Sequence, residues 1–157
     1  MLAVPRWASK VMLCWMGSIV ADLSASIAFY RRLGVEIPDA GVWRTPTGGH
    51  HASAADQSAD QAIDFDLDST AFAQIWNIGW KGRTDLRGRV VIGFRVPTRT
   101  DVDDAFRDMV GAGYRGLQEL HDAFWGARYA IIEDPDGIAV GLMSAVSPDK
   151  ESQPPNL

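Results

Sequence analysis

The sequence has a single cysteine, Cys14, among its 157 residues. One cysteine excludes an intrachain disulfide and a zinc site built from thiolates, and we interpret Cys14 as a small buried hydrophobic residue. The sequence also lacks a lysine and arginine cluster, and its formal net charge is −5. These properties exclude the electrostatic footprint of a nucleic-acid-binding protein.

The chain has no apolar run of the roughly 20 residues that a membrane-spanning helix requires. An uncharged run at 11–21 follows Arg6 and Lys10, an arrangement that also occurs in secretory signal peptides. We interpret this run as a first core strand instead, and we expect a cytoplasmic protein without membrane association. A phosphate-binding glycine loop, a nucleophile elbow and an HExxH motif are absent from the sequence.

The clearest local pattern that is present lies at 123–144, AFWGARYAIIEDPDGIAVGLMS. Two apolar runs flank the tetrapeptide that begins at Asp134. Pro135 sets φ for a turn, Asp134 can bond the turn backbone, and Gly137 tolerates positive φ. The segment therefore predicts a β-hairpin.

The first half of the chain predicts one strand, one helix and several further strands. Val11 to Val20 should form a strand buried on both faces, and Asp22 should cap a helix that Gly34 terminates. Further strands are predicted at 35–37, 42–44, 50–54 and 62–67, with clean alternation in AIDFDL at 62–67.

The second half repeats this order. After an amphipathic helix or turn at 69–80 and a polar linker at 81–88, a buried strand is predicted at 90–96. Thr100 and Asp103 have the spacing of a capping box, which predicts a helix that ends near Gly111. Its inward positions would be Val102, Phe106, Met109 and Val110, and a strand at 114–119 leads to the hairpin.

A weak internal repeat joins the halves, because Ala28-Phe29 and Gly34 recur 77 residues later as Ala105-Phe106 and Gly111. We therefore divide the chain into five segments. These are a lead-in at 1–10, a first βαβββ module at 11–68, a connecting helix and linker at 69–88, a second module at 89–144 and a flexible tail at 145–157.

Three segments resemble the vicinal oxygen chelate superfamily, which includes glyoxalase I, extradiol dioxygenases and bleomycin-resistance proteins. They are ADLSASIAFYRRLGV, VIGFRVPTRTDVDDAFRDMVGAG and WGARYAIIEDPDGIAVGLM. The resemblance implies an α+β fold in which two βαβββ modules form an open, cup-shaped mixed sheet. It does not specify the function, since one fold hosts many functions.

The resemblance also implies where metal-using members place their ligands. Those positions fall on Trp15, on Val91, on Gly141 and on either Asp64 or Phe65. Trp15, Val91 and Gly141 offer no lone pair suited to Zn, Fe, Ni or Mn, and a catalytic metal needs about three protein ligands. We therefore expect no metal and no cofactor.

The preferred functional hypothesis is a metal-independent binder of a small apolar or aromatic, possibly cationic molecule, similar to the bleomycin-resistance branch. Like members of that branch, it should be a homodimer. Trp15 either lines the cavity, facing the small Gly141, or fills it. The candidate ligand-binding residues are Trp15, Trp43, His51, Phe124, Trp125, Tyr129 and Gly141.

Two alternatives stay open. The first is a lyase or isomerase in which His50 or His51 works with Asp64 or Asp66 as a base or an off-position metal site. The second is an interaction protein whose cup is filled by its own tryptophans. His121 is expected at the surface in a loop. Arg128 is expected to pair with one of the turn carboxylates, Asp134 or Asp136, or to hold a ligand carboxylate.

Overall fold

The computed structural model describes residues 15–55, 64–76 and 90–153, and every structural statement below concerns these residues. The first module contains β1 (Trp15–Val20), α1 (Leu23–Arg32), β2 (Val42–Thr45), β3 (Gly48–Ser53) and β4 (Asp64–Ser69), and it is followed by α2 (Thr70–Trp76). The second module contains β5 (Val91–Arg95), α3 (Arg99–Gly111), β6 (Gly116–Asp122), β7 (Arg128–Glu133) and β8 (Ala139–Met143). Cys14 and the predicted linker at 81–88 lie outside the described residues.

The strands form two four-stranded sheets with the same topology. The order is β1-β4-β3-β2 in the first sheet and β5-β8-β7-β6 in the second. In each sheet the first and last strands of the module are parallel, while the other pairs are antiparallel. The predicted α+β fold of two βαβββ modules is confirmed. None of the helices in the described ranges is long and apolar enough to cross a membrane.

Helix α1 begins and ends where the sequence predicts. The Asp22 side chain accepts a hydrogen bond from the backbone N–H of Ala25 at 3.0 Å, which satisfies a free donor of the first turn. Gly34 has φ +98°, and the N–H of Val35 donates to the carbonyl of Tyr30. This left-handed C-terminal cap turns the chain away from the helix. The prediction of a strand at 35–37 is wrong, because irregular backbone follows the cap.

Helix α3 begins two residues earlier than predicted, because its N-cap is Thr98 and not Thr100. The capping box consists of Thr98 and Asp101, which have the same spacing. Thr98 Oγ1 accepts from the N–H of Asp101 at 3.1 Å, and the Asp101 carboxylate accepts from the N–H of Thr98 at 2.9 Å. The end of the helix at Gly111 is as predicted.

Two details of the predicted repeat differ from the structure. Gly113, with φ +97°, matches Gly34 in conformation, whereas Gly111 is still helical. Val110 is 41% exposed and does not face the core, although Val102, Phe106 and Met109 are buried as predicted.

The two modules share one hydrophobic core that lies on the helix side of both sheets. The ring of Tyr30 on α1 contacts Phe65 of the first sheet at 4.9 Å and Phe94 of the second at 6.0 Å between centroids. Strands β1 and β5 are not buried on both faces, because Gly17 is exposed and Val91 is 48% exposed. Each sheet thus buries one face in the common core.

The hairpin and the segment after it complete the second module. The Asp134 carboxylate accepts from the N–H groups of Asp136 and Ile138, and Gly137 has φ +82°, as the turn sequence predicts. Part of the segment predicted as a flexible tail contacts the second module, because Ser147 donates to Gly126 and residue 152 to residue 124 through backbone hydrogen bonds.

Candidate functional site

The alternating sequence of β4 places three carboxylates on the sheet face away from the core. Phe65 and Leu67 point into the core, and Leu67 is 1% exposed. Asp64, Asp66 and Asp68 alternate with them and therefore share the opposite face. This face, which also carries His51 of β3, is the strongest candidate for a functional site.

His51 and Asp68 form the centre of the site. They are directly opposite each other in the antiparallel pair β3–β4, and His51 Nδ1 lies 2.6 Å from Asp68 Oδ1. Asp68 is only 3% exposed, so its carboxylate needs a charged or hydrogen-bonding partner. Because a carboxylate only accepts hydrogen bonds, Nδ1 carries the hydrogen and the second nitrogen of the ring, Nε2, is directed away from Asp68.

The environment of Nε2 is polar and partly open. Ser53 Oγ lies 2.9 Å from His51 Nε2, and Asp66 Oδ1 lies 3.9 Å from it. The His51 side chain is 28% exposed. Gly17, opposite Asp66 in the β1–β4 ladder, adds no side chain there. Nε2 therefore lies among polar groups on a side chain that is partly accessible to solvent.

Two aromatic rings border this region. Phe72, on α2 directly after β4, lies 5.9 Å from the His51 ring and 5.3 Å from Trp43 between centroids. Trp43 is 48% exposed and offers a free aromatic surface. We call this set of residues the His51 face: Trp43, His51, Ser53, Asp66, Asp68 and Phe72.

The sequence analysis found only part of the His51 face. It named Trp43, His51 and Asp66, but it missed Asp68, Ser53 and Phe72. Asp68 could have been found by continuing the alternation of AIDFDL by two residues to DLDS. Ser53 could have been found because it lies two residues from His51 on one strand, whereas the position of Phe72 depends on how α2 folds back.

Other residues predicted for this site lie nearby with different roles. Asp64 is exposed and pairs with Trp15 at the far end of β4, so it is not the partner of His51. His50 Nε2 lies 2.7 Å from Thr45 Oγ1 and its ring packs on Trp43. Trp15 belongs to β1, but its side chain lies outside the described residues.

The remaining predicted ligand-binding residues form a second cluster on the other sheet. The Tyr129 ring contacts Trp125 at 5.4 Å and His121 at 5.8 Å, and Trp125 contacts Phe124 at 5.0 Å. Burial raises the pKa of the Tyr129 hydroxyl. His121 lies on β6, opposite Tyr129, and not in a loop as predicted.

Gly141 lies against Tyr129, while its expected position facing Trp15 stays a prediction because the Trp15 side chain lies outside the described residues. A Cβ at Gly141 would lie 2.8 Å from the hydroxyl of Tyr129 and 3.1 Å from its ring. The glycine therefore makes room for Tyr129 of the neighbouring strand. In the described ranges, no aromatic contact joins this cluster to the His51 face.

The predicted pairing of Arg128 with the turn carboxylates is wrong. Arg128 Nε lies 2.6 Å from Asp103 on α3, and Arg128 Nη1 lies 3.1 Å from Asp122. The hydrogen bond from Arg128 lowers the pKa of the Asp103 carboxyl. Asp134 instead accepts a hydrogen bond from the Tyr30 hydroxyl at 3.0 Å, and burial raises the pKa of both groups.

The metal-ligand positions implied by the resemblance do not fit a metal. Val91 and Gly141 have no donor atom, and within the described ranges no group of three or more His, Cys, Asp or Glu side chains could hold one. His51, Asp66 and Asp68 lie close together, with Asp68 hydrogen-bonded to Nδ1 of His51 and Asp66 Oδ1 3.9 Å from Nε2.

The fold defines a class of protein built from paired βαβββ modules. The model of the glyoxalase/bleomycin resistance protein/dioxygenase superfamily matches residues 13–142. The chain belongs to this superfamily. A search of curated proteins found no match.

Solved structures show the same fold at low sequence identity. A glyoxalase/bleomycin resistance protein/dioxygenase family enzyme from Burkholderia phytofirmans PsJN has a TM-score of 0.68 and 14% identity, and the match covers 87% of this chain and all of that one. A glyoxalase-related enzyme from Fulvimarina pelagi has a TM-score of 0.67 and 18% identity, with 85% and 88% covered. A lactoylglutathione lyase from Agrobacterium tumefaciens has a TM-score of 0.57 and 17% identity, with 85% and 93% covered.

Proposed function

We propose that this protein binds a small aromatic, cationic molecule on the His51 face without a metal. The observation that carries the proposal is the combination of an exposed aromatic ring with carboxylates on one open sheet face. Trp43 is 48% exposed beside Phe72, and Asp66 and Asp68 lie on the adjacent strand. Ligand sites commonly combine aromatic walls with a few polar groups in this way.

The charges of this face favour a cation. Asp66 and Asp68 place two carboxylates beside His51, with Asp66 Oδ1 3.9 Å from Nε2 and Asp68 Oδ1 2.6 Å from Nδ1. A ligand cation near Asp66 would gain about 1–4 kcal/mol of attraction, depending on the local dielectric. The face of an indole ring also attracts cations. The lack of donor atoms at Val91 and Gly141 supports binding that does not depend on a metal.

A series of three benzene derivatives tests the proposal, because benzamidinium, benzamide and benzoate share one shape and differ in charge. Each is titrated in buffer with EDTA while tryptophan fluorescence is recorded. We expect a saturable change with affinity decreasing from the cation to the amide to the anion. Asp66→Asn should reduce the preference for the cation about fivefold, as about 1 kcal/mol of charge attraction requires.

Two matched tryptophan variants locate the binding site. Trp43→Phe should remove most of the ligand-dependent fluorescence change, whereas Trp125→Phe on the other sheet should retain it. A change that depends on Trp125 would assign binding to the second cluster. No saturable change with any of the three compounds, or a response only after divalent ions are added, would contradict the proposal.

The proposal also includes a homodimer in the cytoplasm. Exposed apolar side chains support self-association, among them Val90 at 47%, Val91 at 48% and Leu117 at 41% exposure. Light scattering coupled to gel filtration should give twice the chain mass of 17.1 kDa. A monomer at micromolar concentration would contradict this part of the proposal.

A further inference from the structure

We infer that His51 transfers protons to and from the molecule bound on the His51 face, and that Asp68 is its positioning residue. The inference deepens the proposed function and rests on it. Binding alone would not require the hydrogen-bonded pair of His51 and Asp68, which instead suits a catalytic base.

The hydrogen bonds of His51 are those of an oriented base. Asp68 is 3% exposed and fixes the Nδ1–H of the imidazole at 2.6 Å. A buried carboxylate in this place sets the tautomer and the ring orientation, and it stabilises the imidazolium that forms when the second nitrogen takes up a proton. The only recorded contacts of Nε2 in the described part of the chain are Ser53 Oγ at 2.9 Å and Asp66 at 3.9 Å.

The charges around His51 suit a base. Asp66 and Asp68 lie on the strand opposite His51, so positive charge that develops on the imidazole is stabilised. Ser53, His51 and Asp68 are also in line through hydrogen bonds, so the Ser53 hydroxyl is the other candidate for chemistry at this site. Proton abstraction and acyl transfer both leave negative charge on the ligand, and the Ser53→Ala variant distinguishes them.

The class of reaction is proton abstraction from an activated C–H bond of a planar ligand. The C–H electron pair moves into the ligand, the proton goes to Nε2, and the imidazolium returns it to the ligand or to water. This sequence needs no oxidant, reductant or metal. Trp43 and Phe72, whose rings pack edge to face at 5.3 Å between centroids, would form one aromatic wall for the planar ligand beside the base.

The Kemp elimination of 5-nitrobenzisoxazole is a direct probe of such a base. Loss of the C3 proton to Nε2 breaks the N–O bond and releases 2-cyano-4-nitrophenolate, which is measured by absorbance. We expect turnover above buffer in the presence of EDTA. His51→Gln should lower kcat/KM about 100-fold, within the usual range for general base catalysis, and His121→Gln on the other sheet should retain it.

Asp68→Asn separates positioning from binding. It should lower kcat about tenfold with little change in KM, and Asp68→Glu should restore part of kcat. Melting curves of each variant show that it is folded.

The possible results separate this inference from the proposed function. Binding of the benzamidinium series together with equal kcat/KM in the native protein and His51→Gln would overturn proton transfer and leave binding intact. A Ser53→Ala variant without activity would assign the chemistry to the hydroxyl and also overturn it. A rate that EDTA abolishes and a divalent ion restores would likewise overturn proton transfer by His51 without a metal. Absence of both binding and turnover would overturn the two proposals together.

Discussion

At the scale of single residues, Gly141 and Tyr129 show how one missing side chain shapes a sheet face. A Cβ on Gly141 would lie 2.8 Å from the Tyr129 hydroxyl. A Cβ does not come this close to another side chain unless one of the two groups moves. The phenol ring lies over the backbone of β8 because the glycine leaves it room. This contact belongs to the second sheet and is separate from the His51 face.

Gly141→Ala should therefore destabilise the protein by about 1–3 kcal/mol, as is usual when a methyl group is added to a packed site. Gly93→Ala is the matched control, because Gly93 is opposite Gly141 in the β5–β8 ladder and a Cβ there meets no atom within 4 Å. Urea denaturation of both variants checks this. Equal stability of the two would contradict the assigned role of Tyr129.

At the scale of elements, α3 shows that two capping boxes of equal spacing can compete. Thr98 and Asp101 form the capping box, whereas Thr100 is an exposed residue inside the helix. Asp103, which the sequence analysis assigned to the cap, forms an ion pair with Arg128 of β7 instead. The carboxylate of Asp103 is thus bound by strand β7, and that of Asp101 caps the helix.

Thr98→Ala should lower the free energy of unfolding by about 1 kcal/mol, the usual cost of losing an N-cap side chain. Thr100→Ala should change it by less than about 0.5 kcal/mol, since a surface helix position gains slightly from alanine. Thermal denaturation of the two variants is the measurement. A larger loss for Thr100→Ala would place the cap where the sequence analysis had it.

The ion pair of Asp103 and Arg128 predicts a pH dependence of stability. Because Arg128 lowers the pKa of Asp103 in the folded protein, the pair stabilises it above the ordinary carboxyl pKa of about 4. This stabilisation is lost as the pH falls through the lowered pKa. Asp103→Asn should thus cost about 1 kcal/mol at pH 7 and much less at pH 2–3.

Asp104→Asn is the control for this pH dependence. Its carboxylate is 69% exposed and lies 3.6 Å from Arg107, so its contribution should be small at either pH. Urea midpoints at the two pH values give the comparison. An equal cost of Asp103→Asn at both would rule out the ion pair as its source.

At the scale of the whole molecule, hydrogen bonds from α1 and from the residue before its N-cap to the hairpin turn join the modules. Tyr30 donates to Asp134 at 3.0 Å in the buried core, and the backbone N–H of Ala21 donates to Asp136 at 2.8 Å. These bonds are additional to the shared packing of Phe65 and Phe94 at 5.8 Å. The two modules should therefore unfold in one transition.

Tyr30→Phe should cost about 1–3 kcal/mol, because it leaves a buried carboxylate oxygen without its donor. The loss should appear equally in hydrogen-exchange protection of β4 and of β8, which belong to different modules. Asp108→Asn removes a more exposed contact between the modules, the ion pair with Arg32, and should cost less than about 1 kcal/mol. Loss of protection in one sheet alone would contradict a common core.

Local patterns in the sequence were sufficient for the architecture but not for the site. Asp22, Gly34 and the Asp134 turn act through neighbours within a few residues, so their roles were predictable. The contact of His51 with Asp68 depends on strand register, and the contact of Gly141 with Tyr129 depends on which ring crosses the neighbouring strand. Val35 and Ile37 alternate like a strand, yet the cap of α1 keeps them irregular.

Side-chain NMR of the histidines shows which sheet face binds a ligand, because the chain has only 3 and they lie on two different sheets. Imidazole signals, assigned with His→Gln variants, are recorded while benzamidinium is added. We expect the signals of His51 to shift with saturation while those of His121 stay in place. Shifts of His121 without His51 would contradict the account and place the ligand on the second sheet.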